Sequence, residues 1–233
     1  MEKLIQLLWR SDDHDEVSHR EHMVGEIAPM LAADVERVEH LDVLTGDTSL
    51  EIPAPPVQLG LGPQLASVVT IWLGSVDDRG PIIPALQSAP GTTGKVDQYL
   101  VTESVPQPST AERDWPLGTR TPGVTLFSWF PKPDRLTDGE FFHGWHDIHT
   151  PSTPGLHPLR VEYVRNSVAR VLTPGSPPIR ALVAERWAAI DDYSDPARLF
   201  SSDEAIEASM AELPLYADFE SLNSRPMFQW LIR

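Results

Sequence analysis

The chain has 233 residues, enough for one large domain or two small ones, and its 41% apolar content is sufficient for a packed core. Its 34 acidic against 18 basic side chains leave a formal charge of -16, which repels nucleic-acid phosphates and anionic membrane surfaces, so neither is an expected partner. There is no cysteine, which excludes disulfides, thiolate metal sites, iron–sulfur clusters and a cysteine nucleophile, and makes a reducing cytoplasm the expected location.

The first apolar run, Leu4-Ile5-Gln6-Leu7-Leu8-Trp9, is too short to span a bilayer and lacks a basic start or a small-residue cleavage site. It reads as a strand over Lys3 to Trp9. A helical pattern follows from about Asp13 to Ala28, with Val17, Val24, Ile27 and Leu31 on one face. Arg20 falls at the centre of that face, where an unpaired charge is costly. Either the helix is shallowly buried or Arg20 meets an anion such as a substrate carboxylate. Strands are expected at Val35 to Leu44 and Ser67 to Leu73, then a short proline-broken helical stretch near Ile82 to Gln87, and a fourth strand at Val96 to Val105. The long, polar, turn-rich segment from Pro106 to Pro122 is the best linker, dividing the chain into units at 1–106 and 123–233 with a linker at 107–122.

The second unit repeats the order: strand Val124 to Phe130, helix Asp138 to His149, strands Leu159 to Leu172 and Ile179 to Ile190, helix Ser202 to Leu213, and strand Met227 to Ile232. Each half therefore reads βαββαβ, the order of a ferredoxin-like α+β unit. Val69-Thr70-Ile71-Trp72 precedes Asp77 by the same interval as Ala184-Glu185-Arg186-Trp187 precedes Asp192, which points to a tandem duplication. An antiparallel sheet with helices on one face leaves the other face bare. The two sheets are therefore expected to close into one barrel, a pseudo-dimer within one chain, with a further homodimer left open.

The Thr137-x-x-Glu140 spacing is that of a capping box and fixes the faces of the helix that follows. At about 100° per residue, Phe141, Phe142, Trp145, Ile148 and His149 share one arc, His146 lies at its rim and His143 faces solvent. His149 thus ends an apolar helix face, where the helix dipole raises its proton affinity and burial lowers it, as suits a general acid or base. A core histidine that holds the helix end is the alternative. The run His143-x-x-His146-x-x-His149 fans over too wide an arc to converge on one ion, and no metal site is expected. Tyr163 could donate a proton or orient a substrate oxygen, or simply pack in the core, with Asn166 on the opposite face of its strand. Glu185 alternates with apolar Ala181, Val183 and Trp187; burial would raise its pKa and make it a base, unless it pairs with Arg160, Arg180 or Arg186. Trp129, Trp145, Trp187 and Trp230 could wall a pocket for a flat ligand or serve as plain core. Gly91-Thr92-Thr93-Gly94-Lys95 has the wrong spacing for a phosphate loop, and Gly60-Leu61-Gly62-Pro63 leads into no helix. No Gly-x-Ser-x-Gly elbow occurs.

The stretch Leu136 to Pro151, with its Phe141, Phe142, Trp145, His149 and Pro151, continued by Tyr163 on the next strand, resembles the signature of EthD-like proteins. In those proteins a helix bearing Phe, Trp and His ends at a proline before a Tyr-containing strand. The first half, His22 to Pro29, matches at Pro29 but has no histidine at the corresponding place. The resemblance implies the dimeric α/β barrel superfamily, which spans cofactor-free monooxygenases, polyketide cyclases, dehydratases, isomerases and haem-dependent enzymes. It favours a cofactor-independent lyase or cyclase that dehydrates, cyclises or isomerises an aromatic or polyketide-like compound. His149 would be the acid–base group, assisted by Tyr163 and Glu185, with Trp145, His146, Trp129, Trp187 and Arg20 binding substrate. A monooxygenase using the same residues, a haem enzyme and a non-catalytic ligand-binding or assembly module are the alternatives.

Overall fold

The computed structural model describes residues 1–34, 37–60, 62–109 and 113–233; the expected strand start at Val35, Leu61 of the glycine–proline loop and the middle of the linker lie outside these. Eight strands form one closed antiparallel barrel in the order β1-β3-β2-β8-β5-β7-β6-β4. They are β1 (Glu2–Arg10), β2 (Val38–Thr45), β3 (Leu65–Leu73), β4 (Thr92–Gln107), β5 (Val124–Pro131), β6 (Arg160–Val171), β7 (Ile179–Trp187) and β8 (Asn223–Leu231). Within each half the order is fourth, first, third, second strand. The halves join through β2 with β8 and β4 with β6, so closure leaves no free edge.

Alternation along the strands divides the core into layers. Ile5, Leu7, Trp9, Val68, Phe127, Trp129 and Leu182 point into the barrel. Leu4, Leu8, Val69 and Ile71 point outward beneath Met23, Ile27 and Leu31 of the first helical segment and Leu86 of the second. Phe130, Ala181 and Val183 point outward in the other half, beneath Phe141, Trp145, Leu213 and Tyr216.

The helices are α1 (Glu16–His22), α2 (Ala28–Ala32), α3 (Ile82–Gln87), α4 (Asp138–Phe142), α5 (Thr150–Leu156), α6 (Ile190–Ser194), α7 (Pro196–Leu199) and α8 (Asp203–Glu212). A wide π-helical turn joins α1 to α2 over Met23–Ile27 and α4 to α5 over His143–His149. The expected helices stop near Ala28 and His149, yet both continue past the following proline. A proline lacks an N–H and clashes with the carbonyl four residues back. In the wide turn, Ala28 N–H bonds Met23 O and Thr150 N–H bonds Trp145 O, five residues back, so the chain passes Pro29 and Pro151 without breaking. The Thr137–Glu140 capping box forms as expected.

Two expectations about faces are corrected. The first helix buries His19, Met23, Ile27 and Leu31, while Val17 is exposed and Arg20 sits half-buried beside Glu21 and Asp47. His19 was not counted among the apolar positions, which displaced the expected face towards Arg20. On the third strands, the interval to Asp77 and Asp192 aligns Thr70 with Glu185. Strand register instead pairs Leu41 with Ile71 and Tyr163 with Glu185, so Ile71 is the position matching Glu185. Thr70 faces the barrel and Glu185 the helices, the reversal expected of a one-residue slip.

Candidate functional site

Between the outer face of the second sheet and its helices lies a cavity of about 240 Å³. Its floor is formed by outward residues of β5, β6 and β7, among them Phe130, Tyr163, Val183 and Glu185, and its walls by Trp145, His149, Tyr216 and the α8 residues Ile206 and Met210. Among the described residues, the first half reaches it through the loop residues Pro56, Val57 and Leu59. His149, Tyr163, Glu185 and Trp145, brought from one helix and two strands, thus meet in one space.

His149 closes the π-helical turn, a distortion frequent at functional sites, and its side chain is 13% exposed. Its Nδ1 lies 3.2 Å from Glu212 Oε2, and Ser152 Oγ donates to the same oxygen at 2.7 Å. Its ring lies 4.6 Å from that of Tyr216. That approach depends on Gly144, because a Cβ there would come within 2.2 Å of Leu215 O. A carboxylate acceptor at Nδ1 assigns the proton to that nitrogen and leaves the Nε2 lone pair free. Nε2 has no protein partner among the described residues and is not one of the polar atoms sealed from solvent. Burial holds the His149 pKa below its ordinary value, opposed by the negative charges of Glu185 and Glu212.

Glu185 is ion-paired to Arg160, whose side chain is fully buried and also donates to Thr153 Oγ1 at 2.7 Å. Burial pushes Glu185 up, but Arg160, His157 and His149 outweigh it, so its carboxyl lies below the usual range. Of the two readings of Glu185, a base with a raised pKa or the partner of an arginine, the second holds: it is an ionised member of a pair with Arg160. Tyr163 is buried, accepts a hydrogen bond from Trp145 Nε1 at 3.3 Å, and has its phenol pushed up by burial to about 12. His157 lines the same cavity and is fixed through Nδ1 to Leu199 O at 2.9 Å.

The remaining expected residues lie elsewhere. Trp129 points into the barrel, because its neighbours Ser128 and Phe130 take the cavity-facing positions on β5. Trp187 is fully buried beyond the cavity against His157 and Tyr193. His146 packs on Trp145 and Phe142 outside the cavity, with burial holding its pKa down to about 4. Arg20 belongs to the other half. The wide turn changes the angular step that would have put His146 at the rim of the arc. His143 is exposed and pairs with Asp147. Among the described residues no group of three His, Asp or Glu side chains converges as a metal site. Reading the sequence missed Glu212, Tyr216 and the Val57–Leu59 wall. Glu212 carries no local mark, since α8 is a polar helix whose role is set by where its end docks.

No family model and no curated protein matches this chain. Among solved structures it is similar to an anthrone oxidase-like protein, with a TM-score of 0.62 at 13% identity over 99% of this chain and 93% of that one. It is also similar to a candidate monooxygenase from Lactobacillus acidophilus NCFM, with a TM-score of 0.52 at 10% identity over 98% and 93%. A chlorite dismutase variant from Candidatus Nitrospira defluvii gives 0.50 at 8% over 97% and 90%. At such identities the likeness shows the fold alone, a closed eight-stranded antiparallel barrel with helices packed outside it. The EthD-like signature stays a resemblance of the quoted residues. Among the described residues no helix is long and apolar enough to cross a membrane.

Proposed function

We propose that this protein is a cofactor-independent enzyme in which His149 removes a proton from a small phenolic or enolisable aromatic, and the resulting anion reacts with molecular oxygen. The reading rests on one observation: His149 lines an aromatic-walled cavity and is clamped at Nδ1 by Glu212, while its Nε2 has no partner among the described residues. A histidine with a depressed pKa is a neutral, ready base at neutral pH. The imidazolium formed on proton transfer gains the charge-assisted bond to Glu212 and the nearby charge of Glu185. Tyr163, which keeps its proton, can steady a substrate oxygen, and the Arg160–Glu185 pair holds a fixed field beneath it.

The anion passes an electron to oxygen, the two radicals combine at carbon, and loss of water from the hydroperoxide turns a CH2 into a C=O. The anthrone oxidase-like and monooxygenase-like neighbours favour this outcome over the lyase or cyclase chemistry that the same base would also serve. The EthD-like run from Phe141 to Tyr163 supports the same placement of the site. The repeated strand order supports reading 1–106 and 123–233 as two fused units joined by 107–122, a pseudo-dimer in one chain. Anthrone is the first substrate to try, in an oxygen electrode with product analysis. Oxygen uptake matched by anthraquinone formation, and reduced about 10²- to 10⁴-fold in His149→Ile, is the expected result. Rearranged product without oxygen uptake from a panel of fused-ring phenols would move the reading to the isomerase or cyclase side. No turnover of any of them would leave a binding module.

A further inference from the structure

The barrel holds a second cavity of about 350 Å³, open at one end and on the opposite face of the sheet from His149. Four side-chain atoms in its lining, Trp115 Nε1, Thr121 Oγ1, Thr125 Oγ1 and Asn166 Oδ1, are cut off from solvent and have no hydrogen-bond partner among the described residues. Thr121, Thr125 and Asn166 are each at most 3% exposed. A buried polar atom left unpaired costs about 1–3 kcal/mol, and proteins keep such atoms at that cost where something else meets them. In the cavity lined by His149, by contrast, no side-chain atom of the described residues is stranded in this way.

The charges select the kind of ligand. Lys3 is ion-paired to Glu103 and lies over the Trp72 ring, and Arg186 pairs with Glu162 at 3.5 Å. Asp42, on the cavity wall, is left with neither an ion pair nor a hydrogen bond among the described residues. Arg113 completes the lining from its exposed side, where water screens it. Burial raises Asp42 to about 7, with Lys3 opposing and Glu162 and Glu103 adding to the rise, as suits a carboxyl that lacks its own cation. Ile5, Leu44 and Phe127 supply apolar wall between these polar groups.

We propose that the barrel interior is a second binding site, for a small aromatic amine held as its ammonium ion by Asp42, with its remaining N–H groups shared among the Thr121, Thr125 and Asn166 oxygens. The net charge of -16 draws such cations to the protein. Benzylamine and its neutral isostere benzyl alcohol test it by calorimetric titration of the full chain at a pH above the Asp42 midpoint of about 7. The amine is expected to bind one site, about tenfold or more tightly than the alcohol, the difference made by a charge-assisted bond. Asp42→Asn should weaken the amine about tenfold, Thr125→Val a few-fold, and His149→Ile not at all. Thr125→Val keeps the test open should Asp42→Asn fold poorly. Equal binding of amine and alcohol, no binding of the amine, or amine binding that His149→Ile removes while Thr125→Val leaves it intact would overturn the proposal. None of these outcomes bears on turnover at His149, so this site and the proposed oxygenation stand or fall separately.

Discussion

The two halves of the barrel share their strand order and their paired π-helical turns, yet fill the space between sheet and helices differently. Anchored on Pro29 and Pro151 and on strand register, Met23, Ile27, Val38, Leu41 and Ile71 in the first half correspond to Trp145, His149, Arg160, Tyr163 and Glu185 in the second. All five first-half residues lie in one buried apolar cluster. All five in the second half are polar or carry a polar tip, and four of them border a cavity. At the position of Phe141 the contrast reverses, because the first half has buried His19 there, bonded to Pro90 O at 2.8 Å and Ser67 Oγ at 3.1 Å. The same architecture therefore packs solid with aliphatic residues and opens into a chemically equipped cavity when those positions become polar.

Exchanging residues between the halves is the direct way to break this contrast. His149→Ile, which installs the first-half residue, should lower turnover of an oxidised aromatic by about 10²- to 10⁴-fold. An unchanged circular dichroism spectrum would show that the loss is chemical; retained turnover would remove His149 from the mechanism. Arg160→Val should destabilise the fold by about 3–5 kcal/mol, since it strands Glu185 in a buried site. The double exchange Arg160→Val with Glu185→Ile, which reproduces Val38 and Ile71, should recover most of that loss in urea unfolding. A double variant no better than the single one would mean that Arg160 acts mainly through packing.

His19 offers a pH test in the other half. Burial holds its folded pKa down to about 4 against 6.5 unfolded, so the neutral form stabilises the fold. That contribution, up to about 3 kcal/mol, is complete above pH 6.5 and fades as pH falls towards about 4. Urea midpoints measured across this window should fall with pH, and His19→Phe, which installs the second-half residue, should flatten the decline. The smallest effect is expected from Ile27→His. It places an imidazole in the first half without a counterpart of Glu212, should cost about 1–3 kcal/mol, and should add no activity. A gain in turnover there would show that position alone makes the base.

Strand order, the capping box and the placement of His149 at the end of an apolar helix face were legible in the sequence, because period and cap chemistry are local. Alternation along β6 also put Tyr163 and Asn166 on opposite faces, and they line separate cavities. Arg20, Trp129, Trp187 and His146 were misplaced for identifiable reasons. A buried histidine does not register as apolar, strand alternation sends Trp129 into the barrel, Trp187 keeps its expected face but packs beyond the cavity behind His157, and a π-helical turn changes the angular step that assigns faces.

By itself, then, the sequence determined two βαββαβ halves with bare sheet faces, since hydrophobic period and turn residues act over a few neighbours. Only the tertiary structure decided that Arg160 neutralises Glu185, that Glu212 from a distant helix clamps His149, and that Asp42 faces a barrel cavity without an ion-pair partner among the described residues. Charge pairing and burial depend on which side chains the closed barrel brings within a few ångströms, and no interval along the chain encodes that distance.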